Sequence, residues 1–374
     1  MERATKNLRM NVLGIMSGTS IDSVDYALCE VSEKKIELRK LWTAPFPKKL
    51  QQSLHEAARG DLKSWEFCQL HHDLGRFYAA HVTDKTNRAK PTLVGLHGQT
   101  VFHHPSKKNP ATFQLGEPAY LVEKLRVPVV NNFRVADLAA GGQGAPLATL
   151  FHRFVFAQSG QHVCVNNLGG ISNVTSLDWK RESKPKVLAF DTGPANMLID
   201  FAIRHFSNGK KNYDFAGEWA ARGTASEDLL KRWLRHPYFG KKPPKSTGRE
   251  LFGEPFFKKA IQEMRGLSQF DVATTFTEYT ARSLALNYEM HLLTKPDKII
   301  LTGGGASNPT LVQAIRKQFG CVVQSSDELN WPVQSIEPAA FALLAFLRIK
   351  SQRGNLPETT GANRAVICGQ TSEP

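Results

Sequence analysis

Met16-Ser17-Gly18-Thr19-Ser20-Ile21-Asp22-Ser23-Val24-Asp25 joins two apolar runs, Asn11 to Met16 and Val24 to Val31, through a short polar turn. That pattern predicts two strands in a hairpin, with Ser17 to Ser23 as the turn. Gly18 lets the backbone approach a ligand closely. Thr19 and Ser20 add hydroxyl donors, and the turn's amides can converge on an anion. Asp22 and Asp25 would repel bare phosphate unless a divalent metal or a sugar hydroxyl lies between. The same residues also suit a polar hairpin turn capped by its own Asp side chains, and the stretch alone leaves both readings open. It is neither a Walker loop nor a G-x-G-x-x-G fingerprint, so those nucleotide folds lose support.

The pattern recurs along the chain. Leu93 to Leu96 reads as a short buried strand ending at His97-Gly98-Gln99-Thr100. Val163 to Val165 ends at Asn167-Leu168-Gly169-Gly170, and Asn173 to Leu177 returns. Val187 to Phe190 ends at Asp191-Thr192-Gly193-Pro194, and Ile299 to Leu301 ends at Gly303-Gly304-Gly305. Helical stretches separate many of these strands, including Asp271 to Leu293 and Asn308 to Phe319. Asn308-Pro309 is a good cap-then-proline start. The expected fold class is α/β, with ligand contacts at strand ends. The strand, glycine turn, strand near the amino terminus has a faint echo near residue 165, although glycine-turn hairpins are common.

Composition narrows the function classes. The chain has 374 residues, a hydrophobic fraction of 41% and a net charge of +14. A disordered chain is excluded, because there is apolar material for a sizeable core. The five cysteines, Cys29, Cys68, Cys164, Cys321 and Cys368, are dispersed and show no C-x-x-C pair. That argues against a disulfide framework or a cysteine zinc site and fits a reducing cytoplasm, the expected location. The apolar run Ala339 to Leu347 is too short to span a bilayer. The positive charge is scattered rather than gathered into an aromatic-interleaved tract, so neither nucleic acid nor membrane is an expected partner. A basic surface does attract anionic small molecules.

Two further groups carry candidate chemistry. A carboxylate such as Asp191 at a strand end is a natural general base, or equally an Asx-turn residue. Pro243-Pro244-Lys245-Ser246-Thr247-Gly248-Arg249-Glu250 is an irregular basic loop in which Arg249 can grip a carboxylate or phosphate. The histidine pairs His71-His72 and His103-His104 have no acidic partner at zinc-site spacing, and no metal ligand is assigned.

Taken in order, these stretches resemble the anhydro-N-acetylmuramic acid kinase family, over about Asn11 to Gly369. The resemblance also rests on Phe133-Arg134-Val135-Ala136-Asp137, Ala139-Ala140-Gly141-Gly142-Gln143-Gly144-Ala145-Pro146-Leu147 and Gly354-Asn355-Leu356-Pro357. It implies two domains with related ribonuclease H-like cores (actin/hexokinase/Hsp70-like) around a central ATP cleft. The domains expected are 1–134 plus about 340–374, and 135–339. It implies that ATP phosphorylates the sugar's O6 while water opens the 1,6-anhydro bridge, a step in peptidoglycan recycling. Asp191 then matches the base that deprotonates the water. Gly18, Thr19, Ser20, Ile21, Asp22, Ser23, Val24 and Asp25 match the ATP-binding segment, Gly169, Gly170 and Asn173 a second phosphate loop, and Gly303, Gly304 and Gly305 the adenosine loop. Arg134 and Asp137 fall near the sugar, with the cation available for its lactyl carboxylate. His97, Gln99, Thr247, Arg249 and Glu337 are further substrate-site candidates. ATP with Mg2+ is the expected cofactor set, and a homodimer is one expectation for assembly.

Three positions depart from the family pattern. Ser23 stands where glycine is usual, Ala195 takes the place of the second glycine of Asp-Thr-Gly-Pro-Gly-Asn, and Glu117 replaces an Asp. A left-handed backbone at Ser23 would cost about 1 kcal/mol. These departures keep two alternatives in view: a kinase of the same fold for another sugar, and a catalytically weak ATP-regulated binding protein.

Overall fold

The structure, a computed structural model, describes residues 9–18, 20–82, 90–106 and 108–374. Its strands are β1 (Met10–Ser17), β2 (Ser23–Val31), β3 (Ile36–Pro45), β4 (Leu93–His104), β5 (Ala111–Leu115) and β6 (Val129–Asn131). They continue with β7 (His162–Leu168), β8 (Ile171–Asp178), β9 (Lys186–Pro194), β10 (Lys298–Thr302), β11 (Val322–Ser325) and β12 (Gln370–Ser372). Contacts divide the chain into unit 1, Met1–Val155 with Gln334–Pro374, and unit 2, Phe156–Val333. The breaks fall at 155/156 and 333/334, 21 residues after the expected 134/135 and six before the expected 339/340. Residues 135–144 stay with unit 1 because Asp137 is hydrogen-bonded to Asn355 and Thr360.

Unit 1 carries a sheet in the order β3-β2-β1-β4-β6, with β12 beyond β6 and β5 paired to β4. β1, β2 and β3 are antiparallel neighbours, whereas β4 runs parallel to β1 and β6 parallel to β4. Unit 2 repeats this order as β9-β8-β7-β10-β11, again with three antiparallel and two parallel strands. That shared order is the ribonuclease H-like core, and it gives the echo between the two hairpins its physical content.

The central strands are buried on both faces, which explains their nearly continuous apolar runs. Val12, Leu13 and Ile15 of β1 and Leu93 and Val94 of β4 have no exposed surface. The helix Ile336–Ile349 lies on β1, β2 and β4 of unit 1. It comes that close because β1 and β4 offer glycine beneath it. A Cβ on Gly14 would run into the Pro338 carbonyl, and one on Gly95 into the Phe341 carbonyl. The run Ala339 to Leu347 is therefore a core helix. Among the described residues no helix is long and apolar enough to cross a membrane.

In unit 2 the long helix Gln269–His291 starts at a capping box between Ser268 and Asp271, two residues before the expected start. Asn308 caps Pro309–Arg316 by accepting from the Leu311 amide at 3.1 Å, as the Asn-Pro pair predicts. Two expected turns are strand instead. β4 runs on through His97-Gly98-Gln99-Thr100 because β5 hairpins onto it. β9 continues through Asp191 to Pro194 because its ladder with β8 extends to Ile171.

Candidate active site

In unit 1, the turn after β1 presents three kinds of residue. Gly18, Ser20 and Asp22 reach the surface, and Thr19 lies outside the described residues. Ile21 and Val24 instead point into the core, at 3% and 0% exposure, so only their backbones are available to a nucleotide. The strain expected at Ser23 lies two residues earlier. Ser23 begins β2 opposite Pro45, whereas Ile21 has φ 58°, a left-handed conformation that β-branched residues rarely adopt. Burial of its side chain and the bond from Gln51 Nε2 to its carbonyl, 2.9 Å, hold it there. Asp25 is half-buried. Burial raises its carboxyl and a 2.6 Å bond from Thr43 Oγ1 partly reverses that.

The same unit holds the cluster around Arg134. Its guanidinium donates through Nε and Nη2 to His97 Nε2 (3.1 and 3.0 Å) and through Nη1 to the Gly144 carbonyl (2.7 Å). His97 Nδ1 lies 2.8 Å from the Gly98 carbonyl and donates to it, leaving Nε2 a pure acceptor. Burial and the Arg134 charge push the His97 pKa well below its ordinary range, so the ring is neutral. Burial also lowers Arg134 to about 10, against an opposing pull from Glu337. Glu337 is itself open to solvent, yet the density of protein around it raises its carboxyl. Arg134 lowers it, and Asp25 raises it further.

Of the residues expected near the sugar, His97, Gln99 and Asp137 are buried and face protein partners. His97 supports Arg134. Gln99 Nε2 donates to the Gly18 carbonyl at 3.1 Å, and its buried Oε1 has no partner among the described residues. Asp137, fully buried, accepts from the Gly144 amide (2.7 Å), Asn355 Nδ2 (2.6 Å) and Thr360 Oγ1 (2.7 Å). Its carboxylate is committed to the loop that carries Arg134.

In unit 2, Asp191 sits on β9 directly across from Asn173 of β8, beside a bulge between Ser172 and Asn173. Asn173 is therefore a strand neighbour of Asp191 rather than part of the Gly169-Gly170 turn. The Asp191 amide donates to the Lys245 carbonyl (3.0 Å), and Tyr238 Oη donates to the Asp191 carbonyl (2.6 Å). Its Oδ2 accepts the Thr247 amide at 2.8 Å. Burial pushes the carboxyl up to about 6. The Thr247 amide pulls it down and the charge of Glu250 adds to the rise. The Asx-turn alternative loses its basis, because that carboxylate is bonded to a residue 56 positions away. Thr247 Oγ1 is buried without a partner among the described residues, and Arg249 is exposed at the start of the short helix Arg249–Phe252. Tyr238, Lys245 and Glu250 also contribute here, and no sequence signal assigns them a role. The loop motif is visible in the sequence, but its long-range contacts are not.

The glycine turns of unit 2 combine close packing with open backbone. Gly303 has φ 75°, and a Cβ there would strike Asn167 Oδ1. Gly304 and Gly170 are exposed, and a Cβ on Gly304 would meet nothing closer than 3.9 Å, so that loop has a bare, open surface. Ala195 has φ −128° and ψ −116°, and its buried amide donates to the Gly170 carbonyl at 3.0 Å. Glu117 Oε1 accepts the Ala119 amide at 2.9 Å and Oε2 pairs with His71 Nε2 at 3.3 Å. Among the described residues no group of three or more His, Cys, Asp or Glu could hold a metal ion by itself.

The sequence profile described as anhydro-N-acetylmuramic acid kinase matches residues 10–373. A protein so named from Picosynechococcus sp. is 40% identical over 378 residues, covering 98% of this chain and 100% of its own. Its namesake from Crocosphaera subtropica is 40% identical over 380 residues, covering 98% and 99%. One from Acaryochloris marina is 38% identical over 375 residues, covering 96% and 99%. With the profile spanning nearly the whole length and relatives aligned end to end, the chain belongs to the anhydro-N-acetylmuramic acid kinase family.

Proposed function

We propose that the protein is an ATP-dependent kinase that converts 1,6-anhydro-N-acetylmuramic acid and water to N-acetylmuramic acid 6-phosphate in the cytoplasm. Asp191 takes a proton from the water as its oxygen bonds to the anomeric carbon. The bond from that carbon to O6 breaks, and O6 attacks the γ-phosphorus of ATP, releasing ADP. A base with a pKa of about 6 suits this chemistry, because it is ionised at neutral pH yet more basic than an ordinary carboxylate. The fixed Oδ2 of Asp191 is the observation that carries the proposal, because Thr247 occupies it and leaves the other oxygen to meet the water.

The remaining roles follow from chemistry. Gly18, Ser20, Asp22, Gly169 and Gly170 receive the phosphates, and Gly303, Gly304 and Gly305 receive adenosine. Mg2+, bound with ATP, offsets phosphate charge, with Asp22 and Asp25 the carboxylates available to its water shell. Arg134, with its Nε and Nη2 spent on His97 and Nη1 on Gly144, keeps N–H bonds for the lactyl carboxylate. Arg249, exposed, is available to the sugar from unit 2, whereas the Thr247 hydroxyl is buried.

The test is ADP release with ATP, Mg2+ and the anhydro sugar, with the product weighed by mass spectrometry. A product heavier than the sugar by one water and one phosphoryl group supports the proposal. Phosphorylation without added water removes the base role of Asp191, and preference for an ordinary hexose reassigns the substrate.

A further inference from the structure

Lys245 is nine-tenths buried, and among the described residues it makes no ion pair. A buried ammonium without a carboxylate is costly unless every N–H is bonded. Here each is. Nζ donates to the Phe239 carbonyl at 3.0 Å and the Tyr238 carbonyl at 3.4 Å, and it lies 3.0 Å from His291 Nε2. The ring of Tyr238 lies 4.8 Å away and that of Phe190 5.7 Å away, adding two electron-rich faces. His291 Nε2 also lies 2.9 Å from the Phe239 carbonyl, so the ring accepts from Nζ when that nitrogen carries no proton and otherwise donates to the carbonyl.

Two walls of this cage, and the loop that carries Lys245, are also tied to Asp191. Phe190 precedes it on β9. Tyr238, whose carbonyl Lys245 grips, donates its hydroxyl to the Asp191 carbonyl at 2.6 Å. The Lys245 carbonyl accepts the Asp191 amide at 3.0 Å. Two residues later, Thr247 places its amide on Asp191 Oδ2 at 2.8 Å.

We propose that Lys245 is a positioning residue for the reaction: its caged ammonium locks the segment Lys245–Thr247 so that the Thr247 amide stays on Asp191 Oδ2 and sets the basicity of that carboxylate. The inference rests on the reading of Asp191 as the base. Without the Thr247 amide, burial and the Glu250 charge act on Asp191 unopposed, and its pKa rises. The charged and titratable groups around the assembly are Glu250 on the helix Arg249–Phe252, Tyr238, His291 on the helix Gln269–His291, and Lys245 itself. Burial lowers Lys245 to about 8 and also lowers His291, so the cage as drawn is intact at neutral pH.

Lys245→Met keeps the length and apolar stem of the side chain and removes its donors. Its acid limb of kcat against pH is expected to move up by about one pH unit, with the KM values for ATP and sugar little changed. An unmoved limb overturns the proposal even if kcat falls, because that pattern marks support of the fold alone. If Lys245→Met does not fold, His291→Leu removes the ring that faces Nζ from the other side of the cage and is expected to shift the limb in the same direction. An unmoved limb there also overturns the proposal. The 13C carboxyl resonance of Asp191, assigned by its loss in Asp191→Asn, reads the same shift without turnover. A parent protein lacking sugar-dependent ADP release therefore refutes the proposed function, while this titration still decides the role of Lys245.

Discussion

The Thr247 amide donates to Oδ2 of Asp191 at 2.8 Å, joining the irregular loop after Tyr238 to the edge strand of unit 2. The bond fixes one carboxylate oxygen and leaves the other free. Asp191→Asn preserves an acceptor for Thr247 and abolishes the base. The variant is expected to fold, to bind ATP with parental affinity by calorimetry, and to lose about 10²–10⁴-fold in kcat. Parental turnover would remove Asp191 from the mechanism.

The Asp191 carboxyl also makes a stability prediction. Its folded pKa of about 6 lies above the ordinary value of ~3.9. A carboxyl raised on folding contributes stability that is fully present below ~3.9 and is lost as pH rises through about 6. A gap of about two units corresponds to on the order of 3 kcal/mol. Asp191→Asn, having no charge to bury, should therefore melt higher than the parent at pH 8, and the difference should shrink toward pH 4. A difference in Tm that ignores pH contradicts the burial of this group.

Activity itself should climb through pH 6 as Asp191 ionises. His97 adds no step there, because its pKa lies far below and it stays neutral across the range. A kcat profile flat from pH 5 to 8 contradicts this assignment.

Arg134 offers a planar fork already oriented by His97 and Gly144. Lysine there keeps the charge but not the fork. Arg134→Lys should raise the KM for the anhydro sugar by about tenfold or more and leave that for ATP unchanged. Equal effects on both substrates would place the guanidinium elsewhere.

Asp137 accepts three hydrogen bonds in a site closed to water. Asp137→Asn turns an NH2 group toward at least one of those donors. Denaturant unfolding should show a loss of about 3 kcal/mol, with the KM for sugar rising as the Arg134 loop loosens.

What the sequence made legible was local. The hairpin around Gly18, the cap at Asn308 and the buried strands each follow from neighbouring residue types. From spacing alone the likeness of the two units was a weak echo, given meaning only by the family resemblance, because strand order depends on which distant strands share an edge. The site was legible in its motifs but not in its electrostatics. Asp191 takes its pKa from burial, Thr247 and Glu250, none of which is near it in sequence. Ile21 shows the converse: the family's usual glycine points to Ser23 for a left-handed turn, yet it is the β-branched Ile21 that has φ 58°. Gln99 and Asp137 look like surface ligands by type and prove to be internal supports.

Unit 2 is one uninterrupted run, whereas unit 1 is made from both ends of the chain. On the ribosome, β1 to β6 emerge with the face that receives the helix Ile336–Ile349 still bare. At ~5–20 residues per second, that face waits on the order of ten to forty seconds for its cover. Unit 2 can meanwhile complete its own sheet. The glycines at 14 and 95, which let the helix seat against the strands, thus also leave the nascent sheet with little side-chain bulk over its centre. The last-made part of unit 1 closes the first-made part, so its maturation is a late event of synthesis.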